Sequence, residues 1–268
     1  MVELFENELN MPDRQSSKGN QLKFQRDNIW YKADYLGYEG LAEYTISKLL
    51  KFSNLEKDEY VDYDLDEITY NGQIFNACRS VDFTEGWQLV TLERPFKQQY
   101  GVGLNHMIYS IDDHDKRLET MVNEVKRATG IENFGIYMAK VLTIDALFLN
   151  EDRHTHNIAV MTDGKENYKL APIFDNGAGL LSDTQMEYPL GQDCIALIDK
   201  VRPKTFCDDF TEQLDIAERL YGTSLRFKFD YSEVSEIVKG AYQYSDEVKE
   251  RVIDVIMQMK RRYKYLFA

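Results

Sequence analysis

The sequence is short of cysteine, long apolar runs and positive charge, and each shortage removes a class of protein. Cys78, Cys194 and Cys207 are the only cysteines in 268 residues, and no two form a Cys-x-x-Cys pair. An odd, scattered set argues against a disulfide framework and for reduced thiols in a reducing compartment. No stretch approaches the roughly eighteen apolar residues of a membrane span. The opening MVELFENELN is acidic and has no apolar signal-peptide core. The cytoplasm is therefore the expected location, and no membrane contact is expected. Lys and Arg number 32 against 46 Asp and Glu, a formal net charge of -14. That argues against direct nucleic-acid binding as the main task. An anionic ligand would need a local positive site or a metal. Internal repeats and low-complexity linkers are also missing.

What is present can fill a core. Hydrophobic residues make up 43% and aromatics 13%, which excludes disorder and leaves one large domain or two lobes around a cleft. Residues 1–95 read as short strands with one helix. NIWYKADY is strand-like and aromatic. GLAEYTISKLLKFS is helical, with Leu41, Ile46, Leu49 and Leu50 as its apolar stripe. EKDEYVDYDLDE reads as a solvated acidic strand or loop, and WQLVTLERPF as a strand ending at Pro95. From about residue 115 the pattern is helical. DKRLETMVNEVKRATG stops at Gly130, and NFGIYMAKVLTIDALFLN is apolar all round, as a central buried helix would be. IAVM and YKLAPIF form two short strands joined through TDGKEN as a hairpin. Residues 207–221 and 245–265 are amphipathic helices, the last with Val248, Val252, Val255 and Met259 at helical spacing. The order gives an α+β chain: a β-rich front lobe, 1–95, and a helical rear lobe, 96–268, that contains the hairpin.

The densest polar stretch is NEDRHTHN, Asn150 to Asn157, placed where the buried helix ends. Asp152 and Asn157 are five residues apart. Beyond the hairpin, IFDNG puts Asp175 two residues before Gly177. Phosphoryl transfer needs a carboxylate to orient the attacking hydroxyl and oxygen ligands for magnesium. The spacing resembles that of protein kinases, where an Asp and then an Asn five residues on share the catalytic loop. A second metal-binding Asp follows the same kind of hairpin. Upstream, Lys32 ends the strand IWYK, and Glu43 stands eleven residues later inside the next helix. A strand lysine that holds phosphates needs an anion to orient it. Glu43 is one candidate and Glu39, nearer the helix start, is the competing one.

NEDRHTHN also resembles the Asn-x-Asp-x-His-x-Lys-Asn signature of HipA-type serine/threonine kinases, and LAPIFD their Pro-x-Tyr-Asp element. SSKGNQLKF resembles their Ser/Gly phosphate loop. DRHTHN fits the Asp-Arg-His-x-x-Asn loop of phosphoinositide kinases as well. The resemblance runs from about residue 16 to 182 and implies a two-lobed protein-kinase-like fold, with ATP and Mg2+ in the cleft. By it, Asp152 would be the catalytic base and His154 would buttress the loop. Asn157 and Asp175 would hold the metal, and Lys32 the ATP phosphates. Ser17, Lys18, Gly19 and Asn20 would line the phosphate loop, where Ser16 or Ser17 would be an autophosphorylation site. Two departures stand out. His156 replaces the family's lysine, and the chain begins almost at the phosphate loop. The second leaves open how an antitoxin or other regulatory partner would bind.

Other signals have plainer readings beside the sharp ones. The single glycine of the loop, Gly19, suits an amide cradle or a flexible terminus equally. Lys18 and Lys23 could neutralise phosphate or be solvated. The segment 90–94, with Glu93, should link the lobes, and its backbone could bind adenine. Asp145 lies mid-helix among apolar residues and needs a partner, either the catalytic-loop backbone or a core polar group. His154 and His156 are spaced wrongly for a helical zinc pair. Trp87 reads as core, and KRRYKY as a solvated helix face. The leading function is an ATP-dependent kinase acting on protein Ser/Thr hydroxyls. Its alternatives are a lipid or small-molecule kinase and a catalytically silent nucleotide-binding regulator.

Overall fold

The structure is a computed structural model that describes residues 1–9, 21–93, 96–97 and 101–267. Its larger sheet has the strand order β1-β4-β5-β3-β2, built from β1 (Val2–Glu3), β2 (Lys23–Arg26), β3 (Ile29–Ala33), β4 (Asp64–Tyr70) and β5 (Gln73–Val81). Only the β1–β4 pairing is parallel. Side chains alternate along β3. Tyr31 and Ala33 therefore join a small core with Leu4, Phe24, Ile68 and Ala77, while Lys32 takes the other face. The register sets Lys23 and Cys78 directly across from Lys32 on that face.

Helix α1 (Glu39–Leu50) packs against β5. Close approach is possible because Gly40 has no side chain: a Cβ there would stand 3.0 Å from Ala77 C and Cys78 N. The expected stripe of Leu41, Ile46, Leu49 and Leu50 is buried. Both ends of α1 are tied to later parts of the chain. Ahead of it, Tyr38 N–H donates to Ser182 O (3.2 Å), and Gln185 N–H to Leu36 O (3.0 Å). The Tyr38 hydroxyl donates to Leu180 O at 2.6 Å. Behind it, Lys228 N–H donates to Phe52 O (2.7 Å), and Asn54 N–H to Arg226 O (3.2 Å). Gly37 sits inside the first of these ties, where a Cβ would fall 2.0 Å from Ser182 O. Gly37→Ala should thus force the strap off the helix start and cost about 1–3 kcal/mol. Urea denaturation checks this; an unchanged midpoint would mean that the strap bears no load.

The centre of the rear part is α4 (Phe134–Phe148), buried all round except at Ile136 and Lys140. Around it pack α3 (His114–Thr129), α6 (Phe210–Tyr221) and α8 (Asp246–Arg262). Gly130 ends α3 at φ 74, a left-handed conformation that glycine adopts without strain. Among the described residues there are three further short helices: α2 (Leu104–Tyr109), α5 (Cys194–Lys200) and α7 (Tyr231–Lys239). Six to nine residues are too few to display a clear period, so these escaped the sequence reading.

Two expectations are corrected. The acidic stretch from residue 56 is not simply solvated, because Tyr60, Val61 and Tyr63 are buried within it. Its apolar side chains turn inward between the exposed acids. The strand assigned to the front, β6 (Gln88–Thr91), does not join the large sheet. It pairs with β7 (Ala159–Thr162), which pairs with β8 (Tyr168–Leu170), as a separate three-stranded sheet. Hydrogen bonding thus ties β6 to the hairpin of β7 and β8. Trp87 packs beside that sheet on Ala159, Met161 and Ala171, with Lys169 Nζ 4.5 Å from its ring centre. No helix among the described residues is long and apolar enough to cross a membrane.

Candidate active site

Four segments far apart in sequence meet between the large sheet and α4. Strand β3 delivers Lys32 and α1 delivers Glu43. The turn after α4 carries Asp152, and the segment after β8 carries Asp175. Lys32 Nζ donates to Glu43 Oε1 at 2.6 Å and to Asp175 Oδ1 at 2.7 Å. Tyr63 lies beneath the same ammonium, its ring centre 5.2 Å away. Lys23 adds a second ammonium 3.9 Å from Asp175 Oδ1. Two lysines opposite each other in a sheet repel unless an anion lies between them, and Asp175 is that anion here.

The competing glutamate is occupied elsewhere. Glu39 accepts the backbone N–H groups of Tyr35, Leu36 and Gly37 at 3.2, 2.7 and 3.2 Å, closing the start of α1. Glu43, one turn further, is 1% exposed, and its Oε2 accepts Asn176 N–H at 2.9 Å. One carboxylate thus joins the strand lysine to the residue after Asp175. Burial would lower the Lys32 pKa, but Asp175 and Glu43 hold it well above the usual lysine range. Burial likewise acts to raise the Asp175 carboxyl, and Lys23, Lys32 and Arg153 overcome it, keeping the group far below the ordinary carboxylate range. Asp175 also has φ 61, a left-handed conformation that is uncommon outside glycine and gathers at working sites.

The loop at Asp152 is built on a buried ion pair. Asp145, fully buried on α4, finds its partner in the loop itself. Arg153 Nε lies 3.1 Å from Asp145 Oδ2, and Nη2 lies 3.0 Å from Oδ1. The rest of the guanidinium donates to Phe174 O (2.7 Å), Asn176 Oδ1 (2.6 Å) and Asn157 O (3.3 Å). Arg153 therefore ties α4, the loop and the Asp175 segment into one unit. Burial pushes the Asp145 carboxyl up, against the pull of Arg153 and of Asn150, whose amide donates to it at 3.0 Å. Sequence reasoning asked what Asp145 would pair with but did not see Arg153. The signal was there, since the loop held a cation five residues beyond the helix end.

Asp152 itself is 8% exposed. Its backbone is held by two side chains: Asn157 Nδ2 donates to Asp152 O at 2.9 Å, and Asp152 N–H reaches Asn150 Oδ1 at 3.4 Å. His154 Nε2 lies 3.9 Å from Asp152 Oδ2, and its ring meets that of exposed His156 edge-on with centres 5.4 Å apart. The Glu93 side chain, in the segment whose backbone was expected to meet adenine, has partners of its own. Its Oε2 accepts Asn105 N–H at 2.9 Å and lies 3.2 Å from the Thr155 hydroxyl, so its side chain joins α2 to the loop that carries Asp152. Ser16, Ser17, Lys18, Gly19 and Asn20, the expected phosphate loop, lie outside the described residues.

An α+β chain with a lysine–glutamate pair between strand and helix, and two carboxylate-bearing segments below it, has a two-lobed protein-kinase-like fold. Its shape is similar to that of the Helicobacter pylori proinflammatory kinase CtkA. The TM-score is 0.58 and the identity 19%, over 96% of this chain and 93% of that one. HipA of Shewanella oneidensis MR-1, from a toxin–antitoxin complex with HipB and operator DNA, superposes at TM-score 0.44 and 12% identity. That match covers 95% of this chain and 62% of HipA. No protein-family model and no curated protein matches the sequence.

Proposed function

We propose that the chain is an ATP- and Mg2+-dependent phosphotransferase of the HipA-like type, acting on Ser or Thr hydroxyls of a protein. The observation that carries this reading is the convergence of Lys32, Glu43 and Asp175 on one ion-pair system. In this reading Lys32, held by Glu43, binds ATP phosphates, and Lys23 assists from the next strand. Asp152 orients the acceptor hydroxyl and accepts its proton. The donor set suits magnesium. Asn157 uses its Nδ2 on the Asp152 carbonyl, which leaves Oδ1 as a ligand, and Asp175 stays ionised. Magnesium, when bound, neutralises charge on the phosphates. His154 keeps the loop in place from beside Asp152.

The test is incubation with γ-labelled ATP and Mg2+, then mass spectrometry of the protein and of a lysate, with Asp152→Asn protein as the blank. Label on Ser or Thr of proteins, with Ser16 and Ser17 mapped separately, supports the proposal. Label only in lipid or metabolite moves it to a small-molecule kinase. Tight ATP binding without transfer makes the chain a silent regulator.

Lys32→Ala should lower nucleotide affinity or turnover, and Glu43→Gln should do so more mildly. Because the two act as one unit, their double-mutant cycle should show a coupling of about 0.5–3 kcal/mol. Additive effects in ATP titrations and initial rates would remove Glu43 from the site.

A further inference from the structure

Outside the cleft, three side chains of metal-ligand type meet between the starts of two helices. His114 is the first residue of α3, Cys207 precedes α6, and Glu212 lies in the first turn of α6. Their ligand atoms all fall within 4.8 Å of one another. His114 Nδ1 stands 2.7 Å from Glu212 Oε1. Cys207 is buried at 8% exposure, and its Sγ donates to Asp209 O at 3.2 Å. The two helices bring together residues 93 and 98 positions apart, so no sequence motif marks the group.

We propose that His114, Cys207 and Glu212 form a zinc-type site. The donors are one imidazole nitrogen, one sulfur and one carboxylate oxygen. That set suits Zn2+ and not the hard Mg2+ of the cleft, which takes oxygen ligands. Tetrahedral zinc sets such atoms about 3.3–3.8 Å apart. The side chains of His114 and Glu212 are 32% and 50% exposed, so both have room to adjust toward that spacing. Three protein ligands leave the fourth position to water. Without a cation, burial and the carboxylates of Glu212, Asp209 and Asp208 push the Cys207 thiol up to about 11. A divalent cation reverses that balance: the S–H proton leaves to solvent as the metal–sulfur bond forms, with no change of oxidation state. Two basic side chains on these helices have partners of their own, Arg117 on the carbonyl of Phe206 and Arg219 on Asp115.

The consequence is a staple between the starts of α3 and α6. It would also steady the catalytic loop, because Thr205, two residues before Cys207, donates its hydroxyl to Arg153 O. The experiment is Co2+ titration of the metal-free full chain, read by the near-ultraviolet thiolate-to-cobalt absorption. One equivalent should develop the band, and Zn2+ should displace it. Cys207→Ser should abolish the band, while Cys194→Ala keeps it. Glu212→Gln and His114→Ala, at partly exposed positions, should each weaken Co2+ by about tenfold or more. Oxygen ligands in the cleft give no thiolate band, so the signal is independent of the proposed kinase site. No band, a band that survives Cys207→Ser, or an unchanged titration in both Glu212→Gln and His114→Ala overturns the proposal.

Discussion

Asp152→Asn protein should bind ATP within a few-fold of the native chain and yet transfer phosphate about 100–10000 times more slowly, the range for losing a positioned general base. The geometry makes this a clean substitution. The Asp152 backbone is anchored by Asn157 and Asn150, and the amide has nearly the same shape as the carboxylate, so it should occupy the same place. What disappears is the ability to take a proton from the acceptor. Nucleotide affinity by calorimetry, set beside single-turnover rates, separates the two effects. Loss of ATP binding would assign Asp152 a structural task. An unchanged rate would remove it from the chemistry altogether.

Asp145→Ala should unfold the chain more readily by about 3–5 kcal/mol, because the Arg153 guanidinium would stay buried without its counter-charge. Asp145 is 0% and Arg153 1% exposed, so water cannot replace the lost carboxylate. Adding Arg153→Met to that variant should restore much of the stability, since it removes the orphaned charge. Activity should remain low, because Phe174 O, Asn176 and Asn157 O would still have lost the donor that gathers them. Urea melts of the three variants decide the matter. A single Asp145→Ala change that shifts stability by less than about 1 kcal/mol, the centre of ordinary point-mutant effects, would show that the pair is dispensable.

Much of this arrangement was legible from the chain alone, and for identifiable reasons. Helix α4 is so uniformly apolar that it could only be central. Gly130 marks its predecessor's end, and the hairpin of β7 and β8 is announced by its turn residues. The Lys32–Glu43 pairing was readable as two alternatives. Periodicity could not choose between Glu39 and Glu43, because that choice depends on which carboxylate the backbone amides of residues 35–37 claim. Other features depend wholly on tertiary partners. A four-residue strand such as β6 carries no label for the sheet it will join. Glu93 looked like part of a connecting segment, and only the approach of α2 and Thr155 gave its carboxylate a task. The tyrosines of the acidic stretch looked solvated because their neighbours are charged, and Lys32 supplies the reason that Tyr63 is not.

The ties at both ends of α1 decide which piece of this molecule is the moving part. Glu43 is bonded to Asn176, and its helix is sewn to residues 180–185 at one end and to 226–228 at the other. The helix is therefore part of the chassis. A shift of the sheet against that chassis would move Lys32 and Lys23 relative to Glu43 and Asp175. That motion stretches the 2.6 and 2.7 Å contacts together and in one direction. A regulator that pulls the helix outward would have to tear two seams at once. One that props the sheet open would have to break the lysine contacts together with the ties of α1 to the sheet, Gly40 N–H to Asp34 and Lys48 to Asp64.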